Sequence, residues 1–150
     1  MKHITICRKK VVDLFVMTTL ISIILLGILY YQKLNDYDLY MVISLLVINT
    51  IFMYSLVKYD CTTIDLVHLL YGLYVFLSLF VENVYIITIF IIKLSIMFAY
   101  WIIDDKCPMG DCETFQRFDV YIKQNENALV FTLITSYMIL FYKYFYSCAF

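Results

Sequence analysis

Apolar residues run in long stretches with the polar residues gathered between them. Five stretches, 14–31, 39–57, 64–81, 84–103 and 128–146, are each near the length of a bilayer span. A hydrocarbon core about 30 Å thick takes roughly 20 apolar residues at helical rise. In that medium each backbone N–H and C=O must be satisfied within its own segment, which selects helices. The pattern therefore predicts an all-α integral membrane helical bundle, a single polytopic domain of five transmembrane helices. The hardest region to divide is 64–103, about 40 residues interrupted only by His68, Glu82, Asn83 and Lys93. As one helix it would be about 60 Å long, twice the hydrocarbon thickness. Glu82-Asn83 splits it into two near-span lengths, and asparagine beside a charge suits a tight turn outside the membrane. A four-span bundle with one longer helix from about residue 66 to 92 is the alternative.

Charge between the spans sets orientation. With five spans, Lys2, Arg8, Lys9, Lys10, Lys58, Lys106, Arg117 and Lys123 fall on one side, and only Lys33 and Lys143 on the other. Lysine and arginine favour the cytoplasmic side. The N-terminus is thus expected in the cytoplasm and the C-terminus on the opposite, non-cytoplasmic face. Four spans would move Lys93, Lys106, Arg117 and Lys123 across and nearly erase the asymmetry. The basic start followed by an apolar run resembles a signal peptide. However, it exits through Leu29-Tyr30-Tyr31-Gln32, not through the small residues of a cleavage site, so an uncleaved signal anchor is expected. Tyrosines and Trp101 cluster near the predicted span ends, where amphipathic rings prefer to sit. Residues 104–127 form a polar loop. Within it Phe115, Phe118 and Ile122 recur at i, i+3, i+7, a stripe suited to a short interfacial helix; an irregular loop is the other reading.

Composition narrows the class. Hydrophobic residues make up 64% and charged residues 15%, with a mean hydropathy of +0.86. That excludes an ordinary water-soluble domain. A net charge of −1 gives no basic excess for nucleic acid. The lipid bilayer is the first partner implied; other membrane proteins or a second copy of the chain are the rest. The wealth of Ile, Tyr, Phe, Asn and Lys matches A/T-rich codons and a low-GC genome. Glycines occur only at 27, 72 and 110, so no GxxxG pair exists. Helices must then meet through serine, threonine and shape-matched large residues, with Thr132, Thr135 and Ser136 marking a contact face on the last span.

Lys93 is the sharpest candidate for chemistry. It falls mid-span, where snorkelling to an interface is incomplete and a charge costs about 3 kcal/mol or more. Glu82 and Asp104 lie eleven residues to either side. That places them on the same helix face, but about 16 Å away along the axis. Asn49 sits at similar depth in the second span and is the nearest candidate partner. A lysine hydrogen-bonded to Asn49 is one reading; an ion or solute path is the other. His68 lies one turn into the third span, three residues after Asp65. It reads either as an interfacial histidine beside a carboxylate or as part of a proton relay. Lys93, Asn49, His68 and Glu82 are the intramembrane polar candidates.

The cysteines are Cys7, Cys61, Cys107, Cys112 and Cys148. In the five-span arrangement the first four are near the cytoplasmic side. Four thiolates suit tetrahedral zinc, yet only Cys107 and Cys112 are close in sequence, and free thiols are the rule in a reducing cytosol. With the topology inverted, a Cys107–Cys112 disulfide becomes available. The surrounding run, Trp101-Ile102-Ile103-Asp104-Asp105-Lys106-Cys107-Pro108-Met109-Gly110-Asp111-Cys112-Glu113, resembles a loop in small multi-span membrane proteins of unknown function. These are common among large DNA viruses and occur in bacteria. This chain departs from that pattern with Gly110 where threonine is expected and with the extra Cys112. The resemblance covers about a tenth of the chain. It implies no activity and favours a viral or virion membrane origin.

No nucleotide loop, nucleophile elbow, paired catalytic carboxylates or metalloprotease helix is present. The expected function is therefore non-enzymatic and without cofactor: a small multi-pass membrane protein with a structural or interaction role, for instance in a viral envelope. A small transporter, channel or viroporin-like oligomer using Lys93 is the first alternative. A thiol or metal protein built on the Cys107/Cys112 loop is the second.

Overall fold

A computed structural model describes residues 2–58, 60–104 and 116–149, with side-chain surroundings over 11–58, 60, 62–64, 66–99 and 131–147. The architecture is all-α. Among the described residues five helices follow in order: α1 (Lys2–Tyr31), α2 (Asp36–Lys58), α3 (Cys61–Leu77), α4 (Val84–Asp104) and α5 (Gln116–Ala149), with a 3-10 turn, Ser78–Phe80, after α3. No strand occurs among the described residues. Among the described residues three helical stretches are long and apolar enough to cross a membrane: Val11–Tyr31, Asp36–Lys58 and Thr62–Phe80. Val84–Ala99 is a shorter apolar stretch.

Helix starts are fixed by short polar side chains, which satisfy N–H groups that a first turn leaves without partners. Asn35 Oδ1 accepts from the Asp38 N–H at 2.7 Å. Asp60 caps α3, its carboxylate taking the Thr63 hydroxyl at 2.6 Å and the Thr63 N–H at 3.4 Å. Asn83 Oδ1 accepts from the N–H groups of Tyr85 at 3.0 Å and Ile86 at 3.4 Å. The asparagine of the Glu82-Asn83 pair thus opens α4. The chain leaves the α-helix at Ser78 and re-enters it at Val84, so the continuous helix over 66–92 required by the four-span alternative does not form.

Two helices are longer than the apolar pattern suggests. α1 begins at Lys2 and α5 at Gln116, well before the expected 14 and 128. Residues 116–127 therefore belong to the first turns of α5 and form neither a separate interfacial helix nor an irregular loop. The cause is physical: lysine, arginine, glutamine and glutamate are good helix formers. Apolar periodicity reports what a helix packs against, not where it ends.

α1 packs on α2, α2 on α3 and α4 on α5, with α1 also touching α4 and α3 touching α5. The core includes the buried residues Leu25, Val42, Leu45, Ile86, Ile87 and Leu140. A second cluster joins Ile48, Phe52 and Leu56 of α2 to Ile64 and Val67 of α3. The outward sides are also apolar: Ile23, Tyr40, Leu69, Phe131, Met138 and Phe145 are all exposed. A soluble monomer rarely shows such a surface, whereas a bilayer matches it.

Candidate functional site

One polar residue from each of the first four helices meets in a single layer inside the bundle. On α2 the buried stripe runs Met41, Val42, Leu45, Ile48, Asn49, Phe52 and Leu56, the spacing of one helix face. Asn49 occupies a position on that stripe which would otherwise be apolar, and it is 0% exposed. Its amide bonds across two interfaces. Asn49 Nδ2 donates to Ser22 Oγ of α1 at 3.0 Å, and Asn49 Oδ1 accepts from the Tyr71 hydroxyl of α3 at 2.5 Å. Ser22 in turn donates to the Thr18 carbonyl at 2.8 Å. Every donor in this chain points the same way, from α3 through α2 to α1.

Lys93 of α4 completes the layer from the other side. Its Nζ is buried and has no hydrogen-bond partner among the described residues. It lies over the Tyr71 ring, 4.6 Å from the centroid. A cation–π contact of this kind contributes about 0.5–2 kcal/mol. Phe52 meets Tyr71 edge-on, with centroids 5.8 Å apart, and holds the ring in place.

The two strongest candidates from the sequence, Lys93 and Asn49, therefore share a layer but do not bond directly, because Tyr71 stands between them. The sequence reading passed over Tyr71 because tyrosine usually marks an interface. Its mid-span position was the available signal. His68 lies half-buried on α3, one turn before Tyr71. Glu82 is exposed in the turn before α4, where it accepts from Asn35 Nδ2 at 3.0 Å. Cys107 and Cys112 lie outside the described residues, as do the side chains of Cys7, Cys61 and Asp65. Among the described residues no three His, Cys, Asp or Glu side chains group as metal ligands.

A second polar layer closes one end of the bundle, and the sequence reading did not foresee it. Asp38 is only 2% exposed. Its carboxylate accepts from the backbone N–H groups of Glu82 at 3.2 Å and Asn83 at 2.9 Å. From the opposite side, Lys143 of α5 donates to the carbonyls of Leu79 at 2.8 Å and Val81 at 2.7 Å. The Tyr37 hydroxyl donates to the Leu77 carbonyl at 2.7 Å. Each of these backbone groups lies where helical bonding lapses between α3 and α4. The Asp38 carboxylate serves the two donors and the Lys143 amine two of the acceptors, in charge-assisted bonds, while the Tyr37 hydroxyl serves the third.

The two layers differ in chemistry. The end layer joins helix termini through charged side chains. The middle layer is bonded from Tyr71 to Thr18 and, among the described residues, leaves the Lys93 amine without an acceptor. Comparison with protein-family models, with curated proteins and with solved structures found no match for this chain.

Proposed function

We propose that this chain is a five-span membrane protein with a structural or interaction role, its N-terminus cytoplasmic and its C-terminus on the opposite face. The observation that carries the reading is the closed bonding of Asn49. It is fully buried, with its carbonyl on Tyr71 and its amide on Ser22. Interhelical hydrogen bonds in membranes average about 0.6 kcal/mol and reach about 2; here they tie three helices in one layer. Apolar outer faces on the helices and the lysine–arginine bias support insertion and orientation. The resemblance of the 101–113 run to loops of small viral membrane proteins supports a viral envelope or virion membrane as the setting.

A transporter or channel role is the second reading, and the amine of Lys93 favours it. Intramembrane cations are often found on ion or proton paths. Proteoliposomes containing the purified chain separate the two. On the structural reading, proton and small-ion flux equals that of empty liposomes, for wild type and Lys93→Leu alike. Selective flux in wild type that disappears in a folded Lys93→Leu protein would replace the structural reading with transport.

A further inference from the structure

α1 is one helix from Lys2 to Tyr31, yet only Val11–Tyr31, 21 residues, is the apolar stretch that can cross a membrane. At helical rise that stretch is about 31 Å long, which matches a hydrocarbon core about 30 Å thick. The helix therefore continues past the hydrocarbon, and the first residues beyond it are Lys10, Lys9 and Arg8. At the same end of the bundle α2 finishes on Lys58. We propose that Arg8, Lys9, Lys10 and Lys58 together hold the phosphate groups of anionic phospholipids in the leaflet at that end, in preference to zwitterionic lipids. This rests on the reading of the chain as membrane-spanning.

Two contacts give the register of α1 against α2. Ser22 meets Asn49 at 3.0 Å and Thr19 meets Met53 at 3.3 Å. Followed outward, this antiparallel register sets Lys58 level with Asp13 and Leu14, with Lys10 about 5 Å beyond at 1.5 Å per residue. Lys9 and Arg8 come next, so all four basic positions fall within about 8 Å along the axis. That is close to the depth of one headgroup layer. Lys58 is exposed, with its Nζ 5.9 Å from the centroid of the Tyr54 ring. Tyr54 is itself exposed, an aromatic ring of the kind found at headgroup level.

Successive helical positions step by about 100°. Positions 8, 9 and 10 therefore take up more than half the circumference of α1, wider than a packing stripe of about 100°. Two carboxylates lie beside these helix ends. Asp13 is exposed, and Asp60 accepts from the Thr63 hydroxyl and N–H. Four cations against these two carboxylates leave an excess of positive charge. A lipid phosphate is the anion present at that depth, and arginine binds phosphate through paired hydrogen bonds. A basic segment directly beside a span is the pattern that attracts anionic lipid.

Native mass spectrometry of the full chain tests this, using protein released from nanodiscs of equal parts palmitoyl-oleoyl phosphatidylglycerol and phosphatidylcholine. Both faces of the disc carry the same lipids, so a change of insertion direction cannot mimic the effect. Wild type should retain phosphatidylglycerol in excess. The triple variant Arg8→Gln, Lys9→Gln, Lys10→Gln should lower that preference roughly fivefold or more, the change that about 1 kcal/mol produces. Lys58→Gln should lower it in part. Lys33→Gln, exposed beyond the other end of α1, should leave it unchanged. A wild-type preference in the triple variant, or an equal fall in Lys33→Gln, would overturn the proposal. So would displacement of the lipid by inorganic phosphate at an ionic strength where chloride leaves it bound, which would mark a site for free phosphate. Where the triple variant does not fold, Lys58→Gln decides alone, and an unchanged preference overturns the proposal. Carbonate extraction of the same preparations separates the premises. An integrated wild type whose lipid preference the variants leave unchanged sinks the basic site alone. Release of wild type into the supernatant sinks the membrane-spanning reading, and the site with it.

Discussion

Asn49 makes both of its bonds because a primary amide offers a donor and an acceptor side by side. Asn49→Leu leaves the Tyr71 hydroxyl without its acceptor, and a buried orphan of this kind costs about 1–3 kcal/mol. Tyr71→Phe loses the same bond but keeps the ring beneath Lys93, so it should cost less than Tyr71→Leu, which loses both. Unfolding of the three variants in detergent micelles gives the order. Equal losses for Phe and Leu at position 71 would mean that the ring–amine contact contributes nothing. Lys93→Leu should leave stability unchanged or raise it, since it removes a buried amine with no acceptor among the described residues from a medium that penalises one. Lys93 and Asn49 were visible in the sequence as polar residues amid apolar ones. Their connection was not, since it passes through a tyrosine whose ring is at home at interfaces and in cores alike. Asp38 was hidden for a related reason. Read along the chain it is an ordinary acidic residue near a span edge; only the approach of the distant 82–83 backbone makes it a buried acceptor.

Between α3 and α4 the backbone departs from α-helical bonding for a few residues, and other elements supply what it lacks. α2 brings the Asp38 carboxylate to two N–H groups, and α5 brings the Lys143 amine to two carbonyls. Asp38→Ala should therefore destabilise the fold by about 1–3 kcal/mol, with faster hydrogen exchange at the Glu82 and Asn83 amides. Lys143→Met should leave those two amides protected and loosen α5 against the turn, seen as faster exchange along the last turns of α5. Faster exchange at 82–83 in both variants to the same degree would mean the turn acts as a single cooperative unit, not one gripped separately from each side. Asp60 gives a pH-dependent case at the start of α3. Its carboxyl is held below the ordinary value first by the bond from the Thr63 hydroxyl and then by the Thr63 N–H. A depressed group stabilises above its unfolded value, about 3.9 for aspartate, and loses that contribution as pH falls through its folded value. Corrected for intrinsic rates, exchange in the first turn of α3 should rise below about pH 4 in wild type and stay level in Asp60→Asn. At this scale the α3–α4 break was legible, because Asn83 beside a charge is a turn signal in any medium. The true lengths of α1 and α5 were not, because their polar ends carry no apolar period to read.

The ends of the chain follow from these contacts. Asn35, after α1, bonds to Glu82, before α4, so the α1–α2 and α3–α4 turns share one end of the bundle. Lys143 fastens the last part of α5 to the same end. The start of α1 therefore lies at the opposite end from the finish of α5, as an odd number of antiparallel crossings requires. If each helix crosses the bilayer, the lysine–arginine bias fixes which end faces the cytoplasm. A membrane-impermeant thiol reagent on sealed cells should then label Cys148 and spare Cys107 and Cys112, which become reactive only after the membrane is opened. Single-cysteine variants assign each signal without ambiguity. Labelling of the pair from outside, with Cys148 protected, would invert the orientation. The 107–112 loop would then sit in an oxidising space, where two cysteines five positions apart could close a local disulfide and where reductant, not pH or ions, would control the loop.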